Sequence, residues 1–291
     1  TPEPGRQFVA WHSLDLAGIF AEEARFGAQI RTLAHPRSDY LNLIQWDRLA
    51  GAPGMTDPTR LGFSADAQLW SWDFEAMELL NGPTPVFGAD PHGAGLFDDW
   101  MSFLNHGHRI TATGASDVHD LEVPGTPRNY FAASSDRPRD FRQPELVDAV
   151  REGRVLVSTG AFARIRLDGS AGMGDTVTDP DGTVNLTLEV QALPQIDVTD
   201  IRVYVNCDEV ARIPATTPAG GNVKLQGDWN LPVPAGQDAH VVVMGFGQQR
   251  YPRELPQFDA AGVPRFVTNP VFVDGDGDGR FTAPGGKTCQ H

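Results

Sequence analysis

Residues 97–119 read FDDWMSFLNHGHRITATGASDVH, and how this stretch divides decides the fold. Phe97, Trp100, Met101 and Leu104 recur at i, i+3, i+4 and i+7, the spacing of one helix face, so these aromatics belong to a core packed on a sheet rather than to a cofactor box. Gly107 stands where a left-handed residue ends such a helix, and Arg109 to Thr113 follow as a short strand. The phrase recurs on both sides. A helix over Leu14 to Phe26 leads through Gly27 to a strand over Ala28 to Ala34, and a helix over Glu145 to Glu152, opened by Pro144, leads through Gly153 to a strand over Val155 to Ser158. With a further strand around Phe74 to Glu78, four strands alternate with helices, which predicts that they run parallel. Four such units make half of a distorted TIM-like β/α barrel. Segments Ala50 to Gly62 and Asn81 to Gly95, rich in Gly, Pro and Asp, then become loops at the C-terminal strand ends, where such folds place active sites.

From about Gly160 the period changes to two. Val184, Leu186, Leu188 and Val190 alternate with polar residues, as do Ile201, Val203, Val205 and Cys207, and further strands are expected at 164–167, 223–229, 240–246 and 266–273. Regular short strands without helices predict a β-sandwich. The expected organisation is therefore α/β plus all-β: a partial barrel over residues 1–158 and a sandwich over 159–291. The chain has two cysteines, Cys207 and Cys289, whose spacing fits one disulfide fixing the tail and equally two unpaired thiols.

A net charge of −15 without a basic cluster argues against nucleic acid and anionic membranes as partners. No apolar run of about 18 residues is present to span a bilayer, and the opening TPEPGR does not read as a signal peptide. Cationic or neutral partners fit better, and the expected partner is a small-molecule substrate. An extracytoplasmic setting rests only on the possible disulfide.

The polar residues of the first half gather at strand ends. The first strand ends in His35-Pro36-Arg37, the next in Glu78, and the third leads to Asp117 and His119. In a parallel sheet those ends share one side, so residues far apart in sequence meet there. Asp117-x-His119 offers an oxygen and a nitrogen ligand, a set that suits zinc, manganese or iron without choosing among them. Pro36 is expected to hold His35 extended and aim its ring along the strand. Glu78 reads either as a site carboxylate or as a structural residue that caps a helix or salt-bridges Arg37, and Arg37 itself as a cation steadying developing negative charge. His106-Gly-His108 resembles a metal signature but lies before its strand, at the wrong end, and reads as a cation near a helix C-terminus. Asp274, Asp276 and Asp278 alternate with glycines like the first half of a calcium loop, although Gly285 stands where such a loop needs its bidentate glutamate. No nucleophile elbow, Walker loop or dinucleotide glycine pattern follows a strand.

Taken in order, His35-Pro-Arg, Met77-Glu-Leu-Leu-Asn-Gly82, Trp100 to Leu104 with Asn105-His-Gly, Thr113-Gly-Ala-Ser-Asp-Val-His119, Ser158-Thr-Gly-Ala-Phe162, Gly174-Asp-Thr-Val177 and Thr268-Asn-Pro270 resemble the carbaryl-hydrolase-like (CehA/McbA) branch of the polymerase-and-histidinol-phosphatase (PHP) metallohydrolases. The resemblance implies a barrel of about seven strands with up to three metals at its C-terminal rim, then a β-sandwich. It makes His35, Asp117 and His119 metal ligands and places Glu78 behind them. The implied activity is hydrolysis of an ester, carbamate, amide or phosphoester by metal-activated water. The family's opening His-x-His and its following ligands would lie upstream of Thr1 and are not in this sequence. The expectation is thus a C-terminal half-barrel, weak or inactive alone, whose partner is the missing N-terminal half, as a covalent or cleaved fragment, or a second copy in a homo-oligomer. The alternative is a non-catalytic binding or structural protein with a degenerate barrel and a sandwich whose Asp-Gly loop would take calcium.

Overall fold

In the computed structural model the described residues are 14–37, 40–82, 95–119, 124–215, 221–251, 262–287, 289 and 291. The glycine-ended helices form where their apolar spacing predicts: α1 (Leu16–Arg25), α2 (Leu96–Asn105) and α3 (Gln143–Arg151). The Asp15 side chain caps α1 by accepting from the Gly18 N–H at 2.8 Å. Gly27, Gly107 and Gly153 adopt φ of 80°, 89° and 70°, left-handed values that only glycine holds without strain. Three strands follow the alternation, β1 (Thr32–Leu33), β2 (Ala76–Asn81) and β3 (Thr111–Ala115), paired in parallel in the order β1-β2-β3.

The half-barrel does not form. Val155–Ser158 (β5), expected as the fourth parallel strand, pairs antiparallel with Arg128–Phe131 (β4) and with Arg265–Thr268 (β12). Strand residues outnumber helical ones about two to one, several sheets are antiparallel, and no closed barrel exists among the described residues. The physical reason is that a short, wholly buried apolar run reads the same in a parallel barrel strand and in an antiparallel strand covered on both faces.

The remaining strands are β6 (Phe162–Leu167), β7 (Thr183–Gln191), β8 (Asp200–Val205), β9 (Asp208–Pro214), β10 (Val223–Pro232), β11 (Ala239–Phe246) and β13 (Val271–Asp274). An eight-stranded sheet runs β9-β8-β11-β12-β5-β4, with β13 on β11 and Thr176–Thr178 on β13. A three-stranded sheet, β10-β7-β6, covers one face of it. The interface between them is a core holding Leu156, Val203, Val241, Val243 and Phe266 with Ile165, Leu186 and Leu188. The neighbours Val157, Tyr204, Val242, Met244 and Val267 point the other way, into a second core with Phe97, Trp100, Leu79 and Phe103. Side chains alternate across a strand, so the eight-stranded sheet is core on both faces. The single strand expected at 266–273 is broken by Asn269-Pro270, since proline has no N–H for the ladder.

Two side-chain amides join the parallel sheet to the eight-stranded one. Asn269 Oδ1 accepts from Ala112 N–H at 2.8 Å, while its Nδ2 donates to Ala112 O at 3.0 Å and to Val155 O at 2.7 Å. Asn129 does the same for Gly114, accepting from its N–H at 2.8 Å and donating to its carbonyl at 2.9 Å. A Cβ on Gly114 would lie 2.7 Å from Val157 Cγ1, so glycine is what lets β3 come this close to β5. Cys207 and Cys289 are disulfide-bonded, with Cα atoms 5.1 Å apart, which settles the cysteine question in favour of a tail staple.

Candidate functional site

His35 follows β1, Glu78 lies in β2, and Asp117 and His119 follow β3, so parallel pairing brings all four to one rim. Asp117 is the hub. Its Oδ1 lies 3.7 Å from His35 Nε2 and 3.6 Å from His119 Nδ1. Glu78, 12% exposed, sits behind His35: its Oε2 accepts the His35 backbone N–H at 3.0 Å and lies 3.5 Å from His35 Nδ1. Asn81 completes the group, donating to Glu78 Oε2 at 3.0 Å and lying 2.9 Å from His35 Nδ1. His119 is 76% exposed, and its Nδ1 is also 2.8 Å from the Asp117 carbonyl oxygen.

The rim backbone is unusual. His35 has φ 43° and Asp117 φ 52°, left-handed values that few non-glycine residues adopt. The extended conformation expected for His35 from Pro36 is therefore not found. Such outliers persist where the surroundings over-determine them, and they cluster at functional sites.

Arg37 turns away from the rim. It meets the fully buried carboxylate of Asp99 with two contacts, Nε at 2.6 Å and a terminal nitrogen at 2.5 Å, and Arg48 adds a third at 2.7 Å. Arg37 thus anchors α2 and is not placed to steady charge at the site, and it is not the partner of Glu78. His106 bonds to the carbonyls of Ser102 and Leu49, and His108 stacks on Trp72 at 3.4 Å, so the His-Gly-His sequence is structural.

A residue the sequence reading missed lies beside the rim. Arg265, 5% exposed, donates to the Gly82 carbonyl at 3.2 Å, one residue beyond Asn81, and forms no ion pair with any described carboxylate. Burial pushes its guanidinium down to about 10, with Tyr251 acting in the opposite sense. No spacing pattern marks it, because it arrives from β12, 183 residues from Gly82.

The acidic loop gains a partner that the sequence reading also missed. Among the described residues, Asp238, Asp274 and Asp276 form the one group whose ligand atoms all lie within 4.8 Å of one another. Asp278 is instead exposed, its N–H bonded to Asp276 Oδ1 at 3.0 Å. Burial pushes the Asp274 carboxyl up, but the Thr178 hydroxyl and the amides of Gly279, Gly277 and Asp278 outweigh it, and the net shift is downward.

The rim fits a metal pairwise. Ligands bound tetrahedrally at about 2.0–2.1 Å lie roughly 3.4 Å apart, close to both separations at Asp117. His35, Asp117 and His119 do not close into a three-ligand set. Comparison with known proteins finds no matching family model, no matching curated protein and no matching solved structure.

Proposed function

We propose that this chain is a metal-dependent hydrolase whose centre is the rim at Asp117. The observation that carries the reading is a run of contacts across three neighbouring parallel strands, from Asn81 to Glu78, from both to His35, and from His35 and His119 to the Asp117 carboxylate. The ordered motifs that resemble the carbaryl-hydrolase-like branch support it. His35 and Asp117 would hold the ion, zinc, manganese or iron, with His119 beside the same Asp117 oxygen and hydrogen-bonded to the Asp117 carbonyl. Such an ion supplies a water of lowered pKa and polarises the ester, carbamate, amide or phosphoester oxygen. The chain's own residues prepare the site. Asn81 Nδ2 donates to Glu78 Oε2 and to His35 Nδ1, which orients the ring with Nε2 on the Asp117 side, and binding an ion at Nε2 would move the ring proton to Nδ1, which faces Glu78.

The test measures bound metal and p-nitrophenyl ester hydrolysis on the purified chain and on Asp117→Ala, His35→Ala and Glu78→Gln. Expected are loss of metal and activity in the first two, and a decline of roughly 10–100-fold in metal affinity for Glu78→Gln. Activity that survives Asp117→Ala and His35→Ala together would sink the reading.

A second reading, a non-catalytic binding protein stabilised by calcium, is favoured by Asp238, Asp274 and Asp276 alone. It requires the melting temperature to rise with added calcium and fall with chelator, through mass action; a melt indifferent to both removes it. The disulfide supports an extracytoplasmic setting for either reading.

A further inference from the structure

At the end of the parallel sheet opposite the rim lies a cavity of about 340 Å³. It opens between the residues that lead into β3 and β5, and three guanidinium groups line it: Arg109, Arg151 and Arg154. Their partners differ. Arg154 is matched by Glu152 at 2.8 Å and Asp175 at 3.3 Å. Arg151 donates to the Gln29 carbonyl at 2.9 Å, and neither it nor Arg109 forms an ion pair with a described carboxylate. Arg109 is held instead by aromatic rings, its guanidinium carbon 3.9 Å from the Phe272 centroid and 5.2 Å from that of Phe281.

Stacking fixes the plane of a guanidinium without using its N–H donors. Arg109 therefore presents a preorganised fork beside a second arginine, Arg151, that has no carboxylate partner among the described residues. In a chain of net charge −15, a cavity with surplus cations is a local exception. Leu104, Ile110 and Pro270 supply apolar wall, and the volume falls within the roughly 300–1,000 Å³ usual for small-molecule sites.

We propose that this cavity binds a small organic monocarboxylate, its two oxygens on the Arg109 fork and its apolar body against Leu104, Ile110 and Pro270. Planar forks match planar carboxylates. The apolar wall selects against a bare inorganic anion, and Glu152 and Asp175 beside Arg154 disfavour a dianion more than a monoanion. The site is at the other end of the strands from His35 and Asp117 and does not rest on the hydrolase reading.

Benzoate is the probe, titrated into the full chain at low salt by calorimetry and amide-shift mapping, with inorganic phosphate as comparison. Saturable benzoate binding is expected, weakened at least about tenfold in Arg109→Gln, partly kept in Arg109→Lys, and unchanged in His35→Ala. The largest amide shifts are expected at Gly153, Arg154 and Gly174. If Arg109→Gln fails to fold, the wild-type shift map and the exposed variant Arg151→Gln, expected to weaken binding a few-fold, decide in its place. No saturation up to about 20 mM, shifts away from these residues, unaltered binding in the arginine variants, or phosphate bound more tightly than benzoate would overturn the proposal.

Discussion

Asp117 and His35 hold left-handed conformations that cost an L-residue about 1–2 kcal/mol, less for Asp and His than for most. Glycine carries no such cost, so Asp117→Gly is expected to match or exceed the wild type in stability by up to about 1 kcal/mol while losing the rim chemistry. Urea midpoints measure this, and a glycine variant less stable than Asp117→Ala would refute the strain argument. His240 gives a second residue-scale expectation. It is fully buried, one ring nitrogen lies 2.8 Å from Asn105 Oδ1, and burial pushes its pKa down to about 3. The folded state thus resists a proton that the unfolded chain accepts below about 6.5. The stability this histidine allows is complete above pH 6.5 and falls by up to about 1.4 kcal/mol per unit as pH drops toward 3. His240→Gln should flatten that limb of the stability curve; an unchanged slope would assign acid unfolding to other groups. The gathering of His35, Asp117 and His119 at one rim was legible, because each follows a parallel strand, whereas Glu78, expected to end its strand, lies within β2. The directions of Arg37 and Asn81 were not legible, since strand position fixes where a Cα lies and not which neighbour a long or amide side chain finds.

Elements were legible where one face is buried and illegible where two are. The period of α2 and the glycine after each helix located three helices within two or three residues of their ends. β5 carries four buried residues in succession, Val155 to Ser158, and its direction is set by Arg128–Phe131 and Arg265–Thr268, which no local pattern reveals. The motif Thr268-Asn-Pro270 marked Asn269 without its role, in which its amide stands in for a strand between β3 and β5. Asn269→Ala leaves the Ala112 N–H, the Ala112 carbonyl and the Val155 carbonyl without that partner, at an expected cost of about 2–4 kcal/mol. Asn269→Asp is expected to be worse, because a carboxylate would face two carbonyl oxygens. Chemical denaturation of both variants checks the order, and a loss below about 1 kcal/mol in each would show that β3 is held by packing alone.

At the scale of the molecule, the disulfide between Cys207 and Cys289 closes a loop across 82 residues. In the chain-entropy account a loop of this length is worth about 4.5 kcal/mol, so the double serine variant should unfold at clearly lower urea, with the rim geometry intact. Equal midpoints with and without reductant would contradict this. The eight-stranded sheet has the wider consequence. Most strands at a protein surface tolerate change at every second position, the one that faces water. Residues 239–245 have no such position, since every one of them is buried against one layer or the other. Read as a record of inheritance, this segment has no silent letters: a saturation library across it would return an unbroken block of intolerance, and lineages of this protein would diverge last there.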